Sequence, residues 1–359
     1  YTAIRIEGGL IPAEELSRLT TLAAPEATEQ TEAHYAIPRG LKLRDEIARS
    51  FKIAQNLWQD FVQQRHRQDV PAHQLTVNTL LLPLLRQVLG HTDLAAARSV
   101  LAAGSSQQSY NIGHAALGGR LPVVLAGYDQ PLDLAAERFG DTNPDTGRTR
   151  RRSPYMLAQE ALNASDASLW AIVSNGLKLR ILRNNPSLTR PAYVEVDLEA
   201  LFTEELYADF TAFWLLAHAS RFGKTQPDGT HTEPTDCPWE RWRNAGQKSG
   251  ETVRMNLRFQ VEHALRSLGT GFLSHQANTR LREQLQNPEQ SSTTKQAFFE
   301  ELLSLVYRFI FLATVEDRTD PSTGRSLIFT PEATPEQQER YWQGYSLTWL
   351  RERAVRRSS

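Results

Sequence analysis

Residues 169–183 read LWAIVSNGLKLRILR, two short apolar runs on either side of Asn175-Gly176. The dipeptide suits a tight hairpin turn because both residues tolerate positive φ. Two adjacent antiparallel strands are therefore expected. Just upstream, RRSPYMLAQEALN (151–163) has helical character, with Ser153 placed as N-cap, Pro154 at the first helical position and Gln159 inside. Further upstream, 110–117 and 121–127 read as two more strands joined at Gly118-Gly119. Residues 193–196 read as another strand, and Asp197 is placed to cap a helix that runs, broken or not, to Ala219.

The flanks complete an α/β pattern. Residues 2–7 alternate as a strand does, and 12–22 form a short helix. Residues 43–65 carry a broad amphipathic face through Ile47, Phe51, Ala54, Trp58 and Phe61. Residues 74–89 are a more buried helix bent at Pro83. The polar stretch 129–152 reads as a loop. After 223–238, rich in Pro, Thr, Gly and Asp, the strand signal nearly vanishes. Helices are expected over 239–269, 293–317 and 336–357. Gly269 suits a helix C-cap. The expected division is an α/β domain over 1–222, a linker over 223–238 and a helical part over 239–359.

The chain has 359 residues, 40% hydrophobic and 23% charged, with a formal net charge of −1. No global field draws it to nucleic acid, so any such contact must come from local basic patches. Cys237 is the only cysteine, which excludes an intrachain disulfide and a cysteine-based zinc site. The longest apolar run, near 80–85, is too short to cross a bilayer. A cytoplasmic protein without membrane contact is expected. The chain begins without Met and ends on RERAVRRSS, and it reads as part of a longer polypeptide.

A metal-dependent nuclease of the PD-(D/E)xK type needs an Asp near one strand end and an acidic-x-Lys triplet on the next strand. The carboxylates hold Mg²⁺, which activates water and stabilises the scissile phosphate. The strand pair before the Gln159 helix should supply them, yet NIGHAALGG and LPVVLAG contain no acid. Asp129 and Asp133 lie beyond the second strand with no suitable Lys after them. Glu195-Val196-Asp197 comes too late and also lacks a Lys. Gln159 fits a helix Gln that accompanies this fold, although an ordinary polar helix residue explains it as well. His114 has no second ligand at metal spacing and reads as structural.

Three basic groups are candidate phosphate contacts. Arg148, Arg150, Arg151 and Arg152 form the densest cluster, for which a solvated loop is an equal reading. Trp239, Arg241, Trp242 and Arg243 interleave rings with guanidiniums, where bases could stack, but helical packing of the two Trp residues is preferred. Arg351, Arg353, Arg356 and Arg357 close the chain and either track phosphates or solvate a helix. Gly269-Thr270-Gly271 follows a helix rather than a buried strand, so it is no cofactor-cradling turn. No N-P-P-[YF] or D-P-P-Y motif is present. Residues 298–312 are apolar nearly all round and are expected to be buried against other helices.

Taken in order, YTAIRIEGGLIP, GLKLRDEIARSFKIAQNLW, IGHAALGGRLPVVLAG, RRSPYMLAQEALN, LWAIVSNGLKLRILRNNPSLTRPAYVEVDLEALF, LLSLVYRFIFLATVEDR and QGYSLTWLRERAVRRS span most of the chain. They resemble the N-terminal half of fused restriction–modification enzymes of type IIG organisation, in particular the adenine-specific DNA methyltransferases of class 1 DISARM phage-defence systems. The resemblance implies a restriction-endonuclease-like α/β domain, here degenerate, then an all-α connector. In such proteins a methyltransferase domain follows and uses S-adenosylmethionine to methylate adenine N6 of double-stranded DNA. None of that domain's catalytic residues has a position here, so no catalytic residue is assigned and S-adenosylmethionine is not expected to bind these residues. The expected role is scaffold and DNA contact, with other defence subunits as partners. The alternatives are an active Mg²⁺-dependent endonuclease with a relocated carboxylate at Asp129, Asp133 or Glu160, and a protein-interaction module that does not touch DNA.

Overall fold

The computed structural model describes residues 1–97, 100–101, 109–142, 149–186, 190–226, 228–289, 291–319 and 326–358. Two compact units divide the chain, 1–250 and 251–359.

In the first unit, β1 (Ile4–Glu7), α1 (Ala13–Thr20) and α2 (Leu43–Gln64) open the chain. Next, α3 (Ala72–Leu75) runs into wide i→i+5 turns over Thr76–Leu81 and Leu84–Val88. Then come β2 (Ala95–Ala97), β3 (Val100–Leu101), β4 (Ser109–Tyr110), β5 (Gly113–Ala116) and β6 (Leu121–Leu125). A hairpin, β7 (Ala136–Thr142) and β8 (Thr149–Arg152), leads into α4 (Pro154–Asn163). Strands β9 (Trp170–Ser174), β10 (Lys178–Arg183) and β11 (Tyr193–Asp197) are followed by α5 (Leu198–Thr203) and α6 (Tyr207–Ala217). The long α7 (Pro238–Ser274) contains the division between units.

Seven strands form one mixed sheet in the order β1-β11-β10-β9-β6-β5-β2. Only β6 and β9 pair in parallel, with Val123 opposite Ile172, because α4 carries the chain back across the sheet between them. Alternation along the strands sorts their side chains into two cores. Val124, Ala171, Val173 and Leu182 face Leu157, Ala158 and Ala161 of α4. On the other face, Val123, Ile172, Ile181 and Val194 meet α2, the wide-turn helix and α6 through Phe61, Leu80 and Phe213. The result is three layers, with helices on both faces of the sheet.

Local signals held where one residue decides them. Ser153 accepts from Met156 N at 3.1 Å and Asp197 accepts from Ala200 N at 2.9 Å, each capping its helix. The turn at Asn175-Gly176 is longer than expected, since Ser174 pairs with Leu179. Only Gly176 has positive φ, +82°. Asn175 instead uses Oδ1 to accept from Leu177 N and Lys178 N, at 3.1 and 2.9 Å. A Cβ on Gly176 would stand 2.6 Å from Thr76 Cγ2, so glycine also lets the turn press against the helical layer.

Several expectations need correction. The stretch 129–152 is not all loop: β7 and β8 occupy its second half, and Arg148 lies outside the described residues. The helix over 74–89 is widened on both sides of Pro83 rather than simply bent there. Residues 223–238 are tied to the first unit. Arg120 Nη1 donates to Thr232 O at 2.7 Å, Thr225 bridges His231, and Cys237 is buried. The division accordingly falls at Gly250, inside α7, and not before Trp239. Trp239 and Trp242 pack into the core of the first unit, with ring centres 5.4 Å apart.

The second unit is helical, with α8 (Thr279–Gln286), α9 (Ser291–Asp317), α10 (Pro335–Gly344) and α11 (Leu347–Ser358). The single helix expected over 336–357 is two, because Glu316 Oε1 caps the second by accepting from Leu347 N at 2.7 Å. Gly269 is no C-cap. It lies inside α7, where a Cβ would stand 3.2 Å from Leu302 Cδ1 of α9. The apolar run 298–312 is buried on one side only, at Leu302 and Val306. Among the described residues no helix is long and apolar enough to cross a membrane.

Candidate functional site

In an open α/β sheet, ligands favour the carboxyl ends of parallel strands where chain direction switches. Here that place is the end of β6, beside α4 and the loop 126–135. Strands β5 and β6 bring no carboxylate to it, as the sequence indicates.

The relocated carboxylates fare differently from one another. Glu160, buried on α4, accepts from Arg150 Nη2 and Arg152 Nε, both at 2.7 Å. Asp133 accepts a two-pronged contact from Arg180, Nη1 to Oδ1 at 2.6 Å and Nη2 to Oδ2 at 2.7 Å. The same guanidinium donates from Nε to Glu195 Oε2 at 2.6 Å, and Lys178 Nζ reaches Glu195 Oε1 at 2.9 Å. Arg180 also lies over the Tyr193 ring, 4.3 Å from its centre. The hydrogen bond from Arg180, opposed by burial, holds Asp133 below the usual carboxylate range. Burial alone would raise Glu195, but the bonds from Lys178 and Arg180 outweigh it and hold it low. These carboxylates are already matched by cations, so a divalent ion would have to displace buried guanidiniums.

Asp129 alone of the three proposed carboxylates makes no ion pair among the described residues. It is exposed in the loop after β6, beside the backbone of His73. Desolvation lowers His73 to about 4, reinforced by Arg138 and His114 and opposed by Asp129. Arg138, His114 and Asp129 are therefore within electrostatic reach of His73. Among the described residues no group of three or more His, Cys, Asp or Glu is arranged to hold a metal ion. Burial, with Arg86 nearby, also lowers His114.

Gln159 is buried under the sheet. Its Nε2 donates to Arg183 O at 3.0 Å and to Asn163 Oδ1 at 3.2 Å, while Oε1 has no partner among the described residues. Its immediate work is to tie α4 to the end of β10.

Of the arginines named from the sequence, those described in the first unit are mostly engaged by carboxylates. Arg152 is buried with Glu160, while Arg150 and Arg151 keep 62% of their side chains exposed, Arg151 pairing with Glu137. Arg241 is held by Glu29 at 2.6 Å and Asp236 at 2.5 Å. Arg243 is half-buried, and desolvation first, then Arg183, lowers it. Arg353 lies over the Trp349 ring at 5.1 Å. Arg356 and Arg357 belong to α11, with side chains outside the described set.

Sequence reading missed two charge clusters, each built around buried groups. One is Lys178–Arg180–Glu195–Asp133. The other centres on Glu240, which accepts from Arg183 Nε at 2.7 Å, from Arg183 Nη2 at 3.0 Å and from Trp170 Nε1 at 2.9 Å. Period-two alternation in KLRILR places Lys178 and Arg180 on one sheet face, but only the register with β11 shows that Glu195 meets them. The segment 269–272, lying within α7, offers no loop for a nucleotide-like cofactor such as S-adenosylmethionine. Compared with known proteins, the chain matches no family model, no curated protein and no solved structure.

Proposed function

We propose that this chain is the scaffold and DNA-contacting part of an S-adenosylmethionine-dependent adenine-N6 DNA methyltransferase from a bacterial restriction–modification or DISARM-type defence system. In this reading it is cytoplasmic, with double-stranded DNA and other defence subunits as partners. Its α/β unit is a restriction-endonuclease-like fold that no longer cuts. The methyl donor is assigned to no residue of this chain. The order of sequence motifs and the β6–α4–β9 crossover support the family reading. The observation that carries the loss of cleavage is the engagement of Glu160 and Asp133 by Arg150, Arg152 and Arg180. Arg150 and Arg151, the most exposed of the described arginines on β8, are the proposed phosphate contacts.

Duplex DNA binding measured against salt tests the proposal. Affinity should fall steeply with ionic strength, and Arg150→Gln with Arg151→Gln should reduce the log–log slope by about one per contact removed. Binding that is absent or indifferent to salt defeats it in favour of a protein-interaction module. The active-nuclease alternative rests on Asp129, which makes no ion pair among the described residues. Plasmid nicking in Mg²⁺ or Mn²⁺ that disappears in Asp129→Ala would establish that alternative instead.

A further inference from the structure

A cleft of about 330 Å³ opens in the first unit between the end of α6, the loop 35–41 and α2. Its apolar walls are Tyr35, Ile37, Pro38, Leu41, Val88 and Trp214, and His218, Gln87, Glu46 and Arg49 supply its polar side chains.

Neighbouring groups fix the protonation form of His218. Buried Arg221 donates to Ser220 Oγ from Nε at 3.1 Å and from Nη2 at 2.9 Å. A hydroxyl has two acceptor sites and one proton. With both sites filled, the Ser220 proton goes to His218 Nδ1, 2.9 Å away. The backbone N–H of Ser220, which can only donate, also points at Nδ1 from 3.3 Å. So Nδ1 is an acceptor. Burial, with His91 and Arg221 adding nearby positive charge, lowers the ring to about 3. The neutral ring then carries its single proton on Nε2. That N–H has no acceptor among the described residues. A Cβ on Gly90 would stand 2.8 Å from Nε2 and 3.4 Å from Cδ2 and Cε1, so glycine is what lets the chain lie this close against the ring.

The lining selects the ligand class. Glu46 accepts from Arg49 Nε at 2.9 Å, so the charges at the mouth cancel and favour a neutral ligand. A waiting N–H donor requires an acceptor, which excludes an ammonium. A sugar would bury hydroxyls that His218 and Gln87 cannot all satisfy. A flat heteroaromatic ring with one acceptor edge meets both the walls and the donor. We propose that this cleft binds a nucleobase, its acceptor edge on His218 Nε2 and the Gln87 amide completing recognition at the mouth. The volume sits at the small end of ligand cavities and suits a base or nucleoside, not a dinucleotide. The base belongs either to a free nucleoside or to an unpaired position in DNA.

The full chain titrated with adenosine and, separately, with a short single-stranded oligonucleotide tests this by calorimetry and saturation-transfer NMR. Leu41→Arg fills the mouth from a position that is 50% exposed, and its melting temperature serves as the folding control. His218→Phe keeps the ring and removes the donor. Each is expected to weaken binding about tenfold or more. Leu41-sensitive binding of adenosine alone assigns a free nucleoside, and of the oligonucleotide as well an exposed base. If neither probe shows binding that Leu41→Arg weakens, the proposal is overturned. A ¹⁵N spectrum that puts the His218 proton on Nδ1 overturns it independently.

Discussion

The two units use apolar residues in opposite ways. The first buries Phe213, Trp214 and Trp239 completely or nearly so, and its sheet is covered on both faces. The second carries an equally apolar segment in α9 but leaves Phe299, Tyr307 and Phe311 exposed at 48%, 62% and 72%. Its helices meet along a narrow seam at Leu302, Val306 and the close approach of Gly269. Hydrophobicity in the sequence is the same commodity in both, yet burial is what stabilises, at roughly 25 cal/mol per Å². The contrast makes the first unit the stable body and the second the region that opens first.

The largest effect that would sharpen this contrast comes from the first unit. Glu240→Ala leaves Arg183 without its carboxylate and Trp170 Nε1 without an acceptor in a buried place. A loss of about 3–5 kcal/mol is expected in denaturant unfolding of the first unit, and a loss below about 1 kcal/mol would mean water replaces the pair.

Acid should act next. Burial lowers His91 to about 4, opposed by its bond to Ala217 O and by Asp93, and lowers His218 to about 3. Unfolded histidines titrate near 6.5. Above that pH both states are neutral and the full stability is present. As pH falls from about 6.5 towards 4, the unfolded chain takes up protons that the folded chain refuses, and stability drops. Each ring contributes on the order of 3 kcal/mol. Unfolding at a series of pH values between 7 and 4.5 reads this slope, and His91→Gln should remove part of it. A flat profile would mean the rings find water in the folded state.

In the second unit the effects are smaller. Leu302→Ala cuts the α7–α9 seam and should cost about 2 kcal/mol, seen as faster amide exchange in α8 and α9 with β9 and β10 unchanged. Phe311→Ala should change stability by no more than about 0.5 kcal/mol. A larger loss there would show that α9 is covered in solution and would dissolve the comparison.

The sequence was most legible where one residue acts on its own neighbours. Ser153 and Asp197 cap their helices as their types suggest, and KLRILR forms the strand its alternation implies. The hairpin β7–β8 was illegible because AERFGDT and TRRR contain few apolar residues. What holds the pair is its ladder, Ala136 against Arg152 and Asp141 against Arg150, together with ion pairs to Glu160 and Glu137. The wide turns around Pro83 were hidden because an extra residue per turn blurs a 3.6-residue period. For α9 the apolar pattern has no preferred side, so nothing in it indicated which residues would stay exposed. As for the candidate site, the missing acids of β5 and β6 could be read directly. That Arg180 occupies Asp133 depends on residues 47 apart in sequence meeting across the sheet.

The hairpin inserted between β6 and α4 has a bearing on how this chain can be altered. It looks like a removable excursion in the crossover, yet its last strand delivers both guanidiniums that neutralise the buried Glu160. Trimming it to a short loop would strand a carboxylate under the sheet, so any shortened version must also replace Glu160 with a neutral residue. The excursion and the one acidic residue beneath it therefore have to be altered together.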